Sequence, residues 1–193
     1  MVFKKSMLLA IALGSLVLSG CSQPSFNTDA VRNAVTEDAE KIDARVDVTL
    51  NQLYAQHPNV RDLSSRAAGI LVIPLVTEAG FFWGGGYGRG ALRVNGQTQD
   101  YYSTASAGYG FQFGAQQYSH ALFFMTEQSL EDFRMSPGWA LSGDAEYTLL
   151  SGGESLRAET TTALAPVIAV VFGQSGLKFG VSIEGQKYTR IIP

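Results

Sequence analysis

The chain has 193 residues, with 14 Lys and Arg against 17 Asp and Glu, and a formal net charge of −3 at pH 7. A weakly acidic chain with scattered basic residues lacks the basic patch of a nucleic-acid-binding protein and the polybasic cluster that holds a protein on anionic lipid by charge alone. The length suffices for one domain with a sizeable core. Most of the 21 glycines lie inside apolar stretches instead of in a linker, so we expect them to shape strands.

Residues 1–20 have the order of a secretory signal peptide. Two lysines form a basic region, residues 7–18 form an apolar stretch, and small residues precede Cys21. The apolar stretch is too short for a transmembrane helix, which needs about 20 residues. Residues 18–21, Leu-Ser-Gly-Cys, resemble the bacterial lipobox, which implies cleavage before Cys21, a diacylglycerol on its thiol and an acyl chain, such as palmitate, on its amine. The alternative is an ordinary signal peptide that is cut near a cysteine.

Cys21 is the only cysteine, so the chain has no disulfide, no cysteine metal site and no thiol nucleophile. Two or three acyl chains anchor a protein stably, because each buried CH₂ contributes about 0.8 kcal/mol. Ser22 follows the anchor, at the position where an Asp would retain an enteric lipoprotein in the inner membrane. We therefore predict a lipid-anchored protein at the periplasmic face of the outer membrane, or at the outer face of the plasma membrane if the organism has one membrane.

A short polar tether is predicted over residues 21–28 and a long helix after it. Apolar residues recur every three or four positions, which predicts an α-helix of about seven turns that packs on its own domain. A coiled coil is less favoured, because valine and alanine make a weak seam. Pro58 is expected to open a second, shorter helix and Gly69 to end it. The apolar stripe of the first helix consists of Val31, Val35, Ala39, Ile42, Val46, Leu50 and Leu53.

After the helices the pattern predicts strands. A short buried strand over residues 70–73 is expected to end at Pro74, and Asn95-Gly96 predicts a tight hairpin between two later strands. Thr126 is expected to be the N-cap of a short helix inserted among the strands.

Glycine inside a strand costs conformational entropy unless the strand bends, bulges or approaches another backbone closely. The sequence therefore predicts an α+β fold, in which N-terminal helices are followed by a strongly curved, Gly-rich, mainly antiparallel and barrel-like sheet of seven to nine strands. We expect a single domain over residues 29–193, with its helical part over 29–68 and its mainly β part over 69–193.

The strand region contains an ordered series of motifs. They are Ala-Gly-Ile-Leu-Val-Ile-Pro at 68–74, Glu-Ala-Gly-Phe at 78–81, Gly-Gly-Tyr-Gly-Arg-Gly at 85–90, Tyr-Tyr-Ser-Thr-Ala-Ser at 101–106, Gly-Ala-Gln at 114–116, the helix at 126–133, Gly-Trp at 138–139 and the segment at 177–185. In this order the series resembles the SYLF-domain family, and the resemblance covers residues 50–192.

The resemblance implies a lipid-binding domain. Eukaryotic SYLF proteins carry the domain beside SH3 or FYVE modules and bind phosphoinositide membranes, and the yeast members also bind actin filaments. Neither ligand belongs in a bacterial envelope, and the acidic first helix of this chain departs from the basic membrane-binding segment of those members. What the resemblance implies here is the fold and the binding of a phospholipid or another amphiphile.

The candidate lipid-binding residues are mainly aromatic. Neighbouring side chains on a strand point to opposite faces, so Phe81, Phe82 and Trp83 place at least one ring outside a core that covers one face. Together with Tyr87 these rings are candidates for insertion into a membrane or for lining an apolar pocket, and packing in the core is the favoured alternative. Lys178 is a candidate contact for an anionic headgroup, and its alternative is an ordinary solvated lysine.

The sequence offers no catalytic constellation. His57 and His120 are the only histidines, and Ser119 would point to the opposite face of a strand from His120. The glycines at 84–90 lack the Gly-Lys-Ser/Thr of a phosphate loop. We therefore predict a protein without enzymatic activity, cofactor or metal. The leading hypothesis is lipid or amphiphile binding, and the alternative is an envelope scaffold that binds a protein partner and uses the acyl anchor only for placement.

Overall fold

The structure is a computed structural model that describes residues 28–80, 83–109, 114–140, 147–151, 165–176 and 185–193. Its helices are α1 (Thr28–Gln56), α2 (Asn59–Arg66) and α3 (Glu127–Met135). Its strands are β1 (Gly69–Gly80), β2 (Trp83–Val94), β3 (Gln97–Tyr109), β4 (Gly114–Phe124), β5 (Trp139–Ala140), β6 (Tyr147–Ser151), β7 (Val167–Gly176) and β8 (Lys187–Ile191). The predicted α+β class is confirmed.

The strands form one sheet in the order β5-β8-β3-β2-β1-β4-β7-β6, antiparallel except for the pair β6–β7. Three strands separate β8 from β4, so a flat sheet would hold them about 19 Å apart at ~4.8 Å per spacing. Yet the hydroxyl of Tyr188 on β8 lies 2.9 Å from Nε2 of His120 on β4. The sheet therefore curls until its concave face closes on itself, which confirms the predicted strong curvature.

A bulge in β1 is one source of this curvature. The register of β1 shifts between Val72 and Leu75 against β2, and the bulged backbone approaches β2 so closely that a Cβ on Gly90 would lie 1.8 Å from the carbonyl oxygen of Val72. The expectation that Pro74 ends the first strand was wrong. Proline is tolerated at a bulge, because the hydrogen-bond ladder is interrupted there. The carbonyl oxygen of Pro74 accepts a 2.7 Å hydrogen bond from Ser119 Oγ.

The concave face holds an aromatic core that α3 closes. The ring of Phe133 lies 4.6 Å from that of Tyr102, 4.8 Å from that of Phe124 and 5.4 Å from that of Trp139, measured between centroids. Thr126 is the N-cap of α3, as predicted, and its side chain accepts a 3.1 Å hydrogen bond from the backbone N–H of Ser129. The cap fixes where α3 begins and so positions Phe133 over the sheet.

The convex face is covered by α1 and α2. Ile42, Val46 and Leu53 of the predicted stripe are buried against it, so the prediction that the first helix packs on its own domain is confirmed. Acidic residues of α1 also face the sheet, since Asp38 pairs with Arg89 at 2.8 Å. Among the described residues, no helix combines the length and apolar character needed to cross a membrane.

Two turn predictions had different outcomes. Asn95 and Gly96 have φ of 52° and 78° and join β2 to β3, which confirms the tight hairpin. Gly69 does not cap α2, which ends at Arg66. It is instead the first residue of β1, where a Cβ would lie 2.9 Å from the side chain of Leu130. The prediction that Gly69 ends the second helix was therefore wrong, and the close approach of Leu130 is the reason for a glycine at this position.

Candidate functional site: a groove between α1 and strands β1 and β2

Of the predicted lipid-binding residues, Tyr87 alone has a described side chain. It lies on β2 with 56% of its surface exposed. Trp83 begins β2, but its side chain lies outside the described residues, as do Phe81, Phe82 and Lys178. The predicted lipidation site, Cys21, also lies outside them.

Tyr87 lines a groove on the convex face, where α1 lies over β1 and β2. The groove encloses about 420 Å³. Its lining consists of Ile42, Arg45, Pro74, Leu75, Thr77, Tyr87, Gly88 and Arg89.

The exposed surface of the groove is partly apolar. Leu75 is opposite Arg89 and Thr77 is opposite Tyr87 in the β1–β2 ladder, so these four side chains lie on one face. Leu75 is 44% exposed and, with Tyr87, belongs to the few large apolar side chains of the described residues that water reaches. Together with the neighbouring arginines, these two side chains give the groove a small amphipathic surface.

Arg45 and Arg89 both line this groove, but they differ in their ion-pair partners. Arg89 forms the ion pair with Asp38, and a hydrogen bond from this guanidinium lowers the pKa of the Asp38 carboxyl. Both side chains of the pair are more than one third exposed, so the pair contributes little to stability. Arg45 on α1 is exposed and forms no ion pair within the part of the chain that the structure describes. After Arg89, Arg45 makes a smaller electrostatic contribution to the lowered pKa of Asp38, so it is an exposed cation with an acidic neighbour at the rim of the groove.

The concave face contains a second polar region, which is buried. Gln116 Nε2 donates to Glu78 Oε2 at 2.8 Å, and the hydroxyl of Tyr118 donates to Oε1 at 2.7 Å. Burial and the hydrogen bond to Glu78 raise the pKa of the Tyr118 hydroxyl above its ordinary range. Gly86 makes room for the acid, because a Cβ there would lie 2.7 Å from Cγ of Glu78.

The same chain of hydrogen bonds continues across the concave face. Gln186 Nε2 donates to the hydroxyl of Tyr118, and its Oε1 accepts from Thr104 Oγ1 at 3.0 Å and from the Tyr188 hydroxyl at 3.3 Å. A Tyr188 hydroxyl that donates to Gln186 can accept from Nε2–H of His120, which lies 2.9 Å away. We call this chain, from Gln116 to His120, the interior network.

The interior network has the properties of a structural element. Burial alone lowers the pKa of His120 to about 3, so its imidazole is neutral at physiological pH and is a poor general base there. Its Nδ1 has no hydrogen-bond partner in the described structure. Ser119 bonds to Pro74 on the other face, so the prediction that Ser119 and His120 point apart is confirmed. No group of three or more metal-ligating side chains occurs among the described residues.

Sequence reasoning missed most of the groove. Leu75 was overlooked because the strand was expected to end at Pro74, and Arg45 was one of many charges on a helix. The alternation Leu75, Thr77 against Val76, Glu78 was the available signal, since it places one pair on each face of a continued strand.

Comparison with known protein families gives a match over the second half of the chain. Residues 105–190 match the family model described as Ysc84, Las17-binding protein actin regulator. No curated protein matches the chain significantly. The matched segment runs from the second half of β3 to β8, whereas the groove is formed by residues that precede it. The resemblance predicted from the motif series is confirmed, and the chain carries a SYLF (Ysc84) domain, identified over residues 105–190.

Proposed function

We propose that the chain is a non-enzymatic lipoprotein of the outer membrane whose domain binds a phospholipid or another anionic amphiphile in the groove between α1 and strands β1 and β2. The observation that carries this proposal is the juxtaposition of exposed Leu75 and Tyr87 with Arg45, which forms no ion pair among the described residues.

The two halves of an amphiphile match the two kinds of surface in the groove. An acyl chain would cover Leu75 and Tyr87 and gain about 25 cal/mol for each Å² of apolar surface removed from water. A phosphate or carboxylate would pair with Arg45, whose guanidinium offers a planar fork of donors to such groups. A neutral apolar ligand would leave that cation without a role.

The lipobox at residues 18–21 supports the proposal that the chain is a membrane-anchored lipoprotein. Acylation of Cys21 would hold the mature chain on the membrane whether or not the groove binds lipid. The family description names Las17 binding and actin regulation. We do not extend that activity to this chain, because the lipobox directs it to a bacterial envelope, where actin filaments are absent.

Vesicle flotation of a chain without its anchor tests the proposal. Residues 21–193 carrying Cys21→Ser should float with vesicles that contain phosphatidylglycerol, and the double variant Leu75→Ser with Tyr87→Ser should lose at least several-fold of this binding. Arg45→Gln should weaken binding to anionic vesicles more than to phosphatidylcholine vesicles. Val48→Ser is the matched control, since Val48 is 67% exposed on α1 and does not line the groove.

Failure of the Cys21→Ser chain to float with either vesicle type would contradict lipid binding. The scaffold hypothesis would then be favoured if crosslinking in cells from position 87 captured one stoichiometric protein partner. An equal loss of binding in Val48→Ser and in the double variant would separate lipid binding from the groove.

A further inference from the structure

Two ion pairs show in which direction α1 runs across the sheet, and so which end of the sheet its N-terminus approaches. Asp38 contacts Arg89 at 2.8 Å, and Asp47 contacts Arg93 at 2.7 Å. As α1 proceeds it therefore runs along β2 toward the Asn95-Gly96 turn. Its N-terminus points the other way, to the end of the sheet where β1 finishes and β2 begins. We call this the glycine-rich end, since Gly80 of β1 is paired there with Gly84 of β2.

The N-terminus of α1 reaches the level of the glycine-rich end. Thr28 precedes Asp38 by ten residues, which is about 15 Å of helix at 1.5 Å per residue. Trp83 precedes Arg89 by six residues, which is about 20 Å of strand. Because Asp38 and Arg89 touch, Thr28 and the start of β2 lie at similar heights on the domain.

The segment that joins Cys21 to α1 is short. Seven peptide units join Cys21 to Thr28, and even when fully extended they span no more than about 25 Å. A bilayer that holds an acylated Cys21 therefore lies within that reach of the N-terminus of α1. Leu75 and Tyr87 are between this N-terminus and the Asn95-Gly96 turn, and Tyr87 is closer to the glycine-rich end than Arg89 is.

We infer that the groove faces the same bilayer that holds Cys21, with the glycine-rich end toward the membrane and the Asn95-Gly96 turn away from it. The inference rests on the proposed function and specifies its partner as the anchoring membrane itself. Binding by the groove is then intramolecular in effect, because the anchor holds the groove beside the lipid that it binds.

The acylated mature protein provides the test, because acylation consumes the only native thiol. A single cysteine introduced by Thr77→Cys, in the groove but outside the Leu75–Tyr87 pair, carries an environment-sensitive fluorophore. Gln97→Cys is the matched label, since Gln97 is also exposed on a strand but follows the Asn95-Gly96 turn. Both proteins are reconstituted into phosphatidylglycerol vesicles whose acyl chains carry a bromine quencher.

We expect the label at position 77 to be quenched several-fold more strongly than the label at position 97. Equal quenching at the two positions, or stronger quenching at 97, would overturn the inference. If the Cys21→Ser chain floats with vesicles while position 77 stays unquenched in the acylated protein, the groove binds another membrane; the inference then falls and the proposed function stands. If position 77 is quenched but the Cys21→Ser chain never floats, the anchor alone sets the orientation; the inferred geometry then stands and lipid binding by the groove falls.

Discussion

The two faces of the curled sheet use polar residues in opposite ways. On the concave face, polar side chains bond mostly to one another, and Glu78, Gln186 and His120 are each at most 8% exposed. On the convex face, Arg45 has no ion pair among the described residues, and Leu75 and Tyr87 are open to water. Buried polarity here contributes to the structure, whereas the open combination of charge and apolar surface is where a ligand can be recognised.

The difference follows from the shapes that meet on each side. A sheet that curls encloses its concave face, and side chains from distant strands such as β4 and β8 fill it. A straight helix laid on the convex side contacts the sheet along a limited line, since a curved surface falls away from a rigid rod. The groove beside Ile42 lies where α1 and the sheet diverge.

Gly90→Ala should have the largest effect on stability, because it disrupts the close approach of β2 to the bulge in β1 that curves the sheet. Its Cβ would lie 1.8 Å from a backbone oxygen, and a clash with backbone cannot be relieved by a change of rotamer. We expect a loss of about 3 kcal/mol or more in the free energy of unfolding, measured by urea denaturation. Gly85→Ala is the control, since its Cβ would be 3.4 Å from its nearest neighbour, and an equal loss there would refute the close-approach explanation.

Glu78→Ala tests whether the interior network is structural. The change leaves the donors on Gln116 and Tyr118 buried without their acceptor, and we expect a loss of about 3 kcal/mol in the free energy of unfolding. Thr77→Ala, on the exposed face of the same strand, should cost less than about 0.5 kcal/mol. A Glu78→Ala protein as stable as the parent would show that the network contributes nothing to stability.

Acid should destabilise the fold through His120. Its pKa is about 3 in the folded chain and 6.5 when unfolded, so the unfolded state binds the proton as the pH falls below 6.5 while the folded state does not. Stability from this residue is present above pH 6.5 and is lost as the pH falls toward 3, with about 2 kcal/mol lost between pH 7 and pH 5.

Urea denaturation of the parent and of His120→Phe at both pH values isolates this contribution. The variant should show a smaller loss of stability between pH 7 and pH 5 than the parent does. An identical pH dependence in the two proteins would mean that His120 becomes protonated in the folded state.

Leu75→Ser should have the smallest effect on stability, because Leu75 lies on the open convex face and not in the buried concave core. Because Leu75 is 44% exposed, we expect the free energy of unfolding to change by no more than about 0.5 kcal/mol. A loss above about 2 kcal/mol, of the size typical of core leucines, would place Leu75 in the core and remove the apolar half of the groove.

Local signals in the sequence predicted the local elements well. Thr126 was identified as a cap because its hydroxyl satisfies an N–H three residues away, and Asn95-Gly96 as a hairpin because both residues adopt positive φ. Pro74 was misread because the rule that proline ends a strand is also local, whereas the bulge that tolerates it is formed by β2 and β4 together.

By itself, then, the sequence determined the α+β class, the buried stripe of α1, the N-cap of α3, the Asn95-Gly96 hairpin and the resemblance to the SYLF-domain family. The interior network and the groove were decided only by the tertiary structure. Glu78 on β1, Tyr118 on β4 and Gln186 just before β8 are far apart in the chain, and Arg45 meets Leu75 only because α1 lies across β1 and β2. Capping and turn formation depend on residues a few positions apart, whereas curvature and helix docking depend on the whole sheet, so no short pattern encodes them.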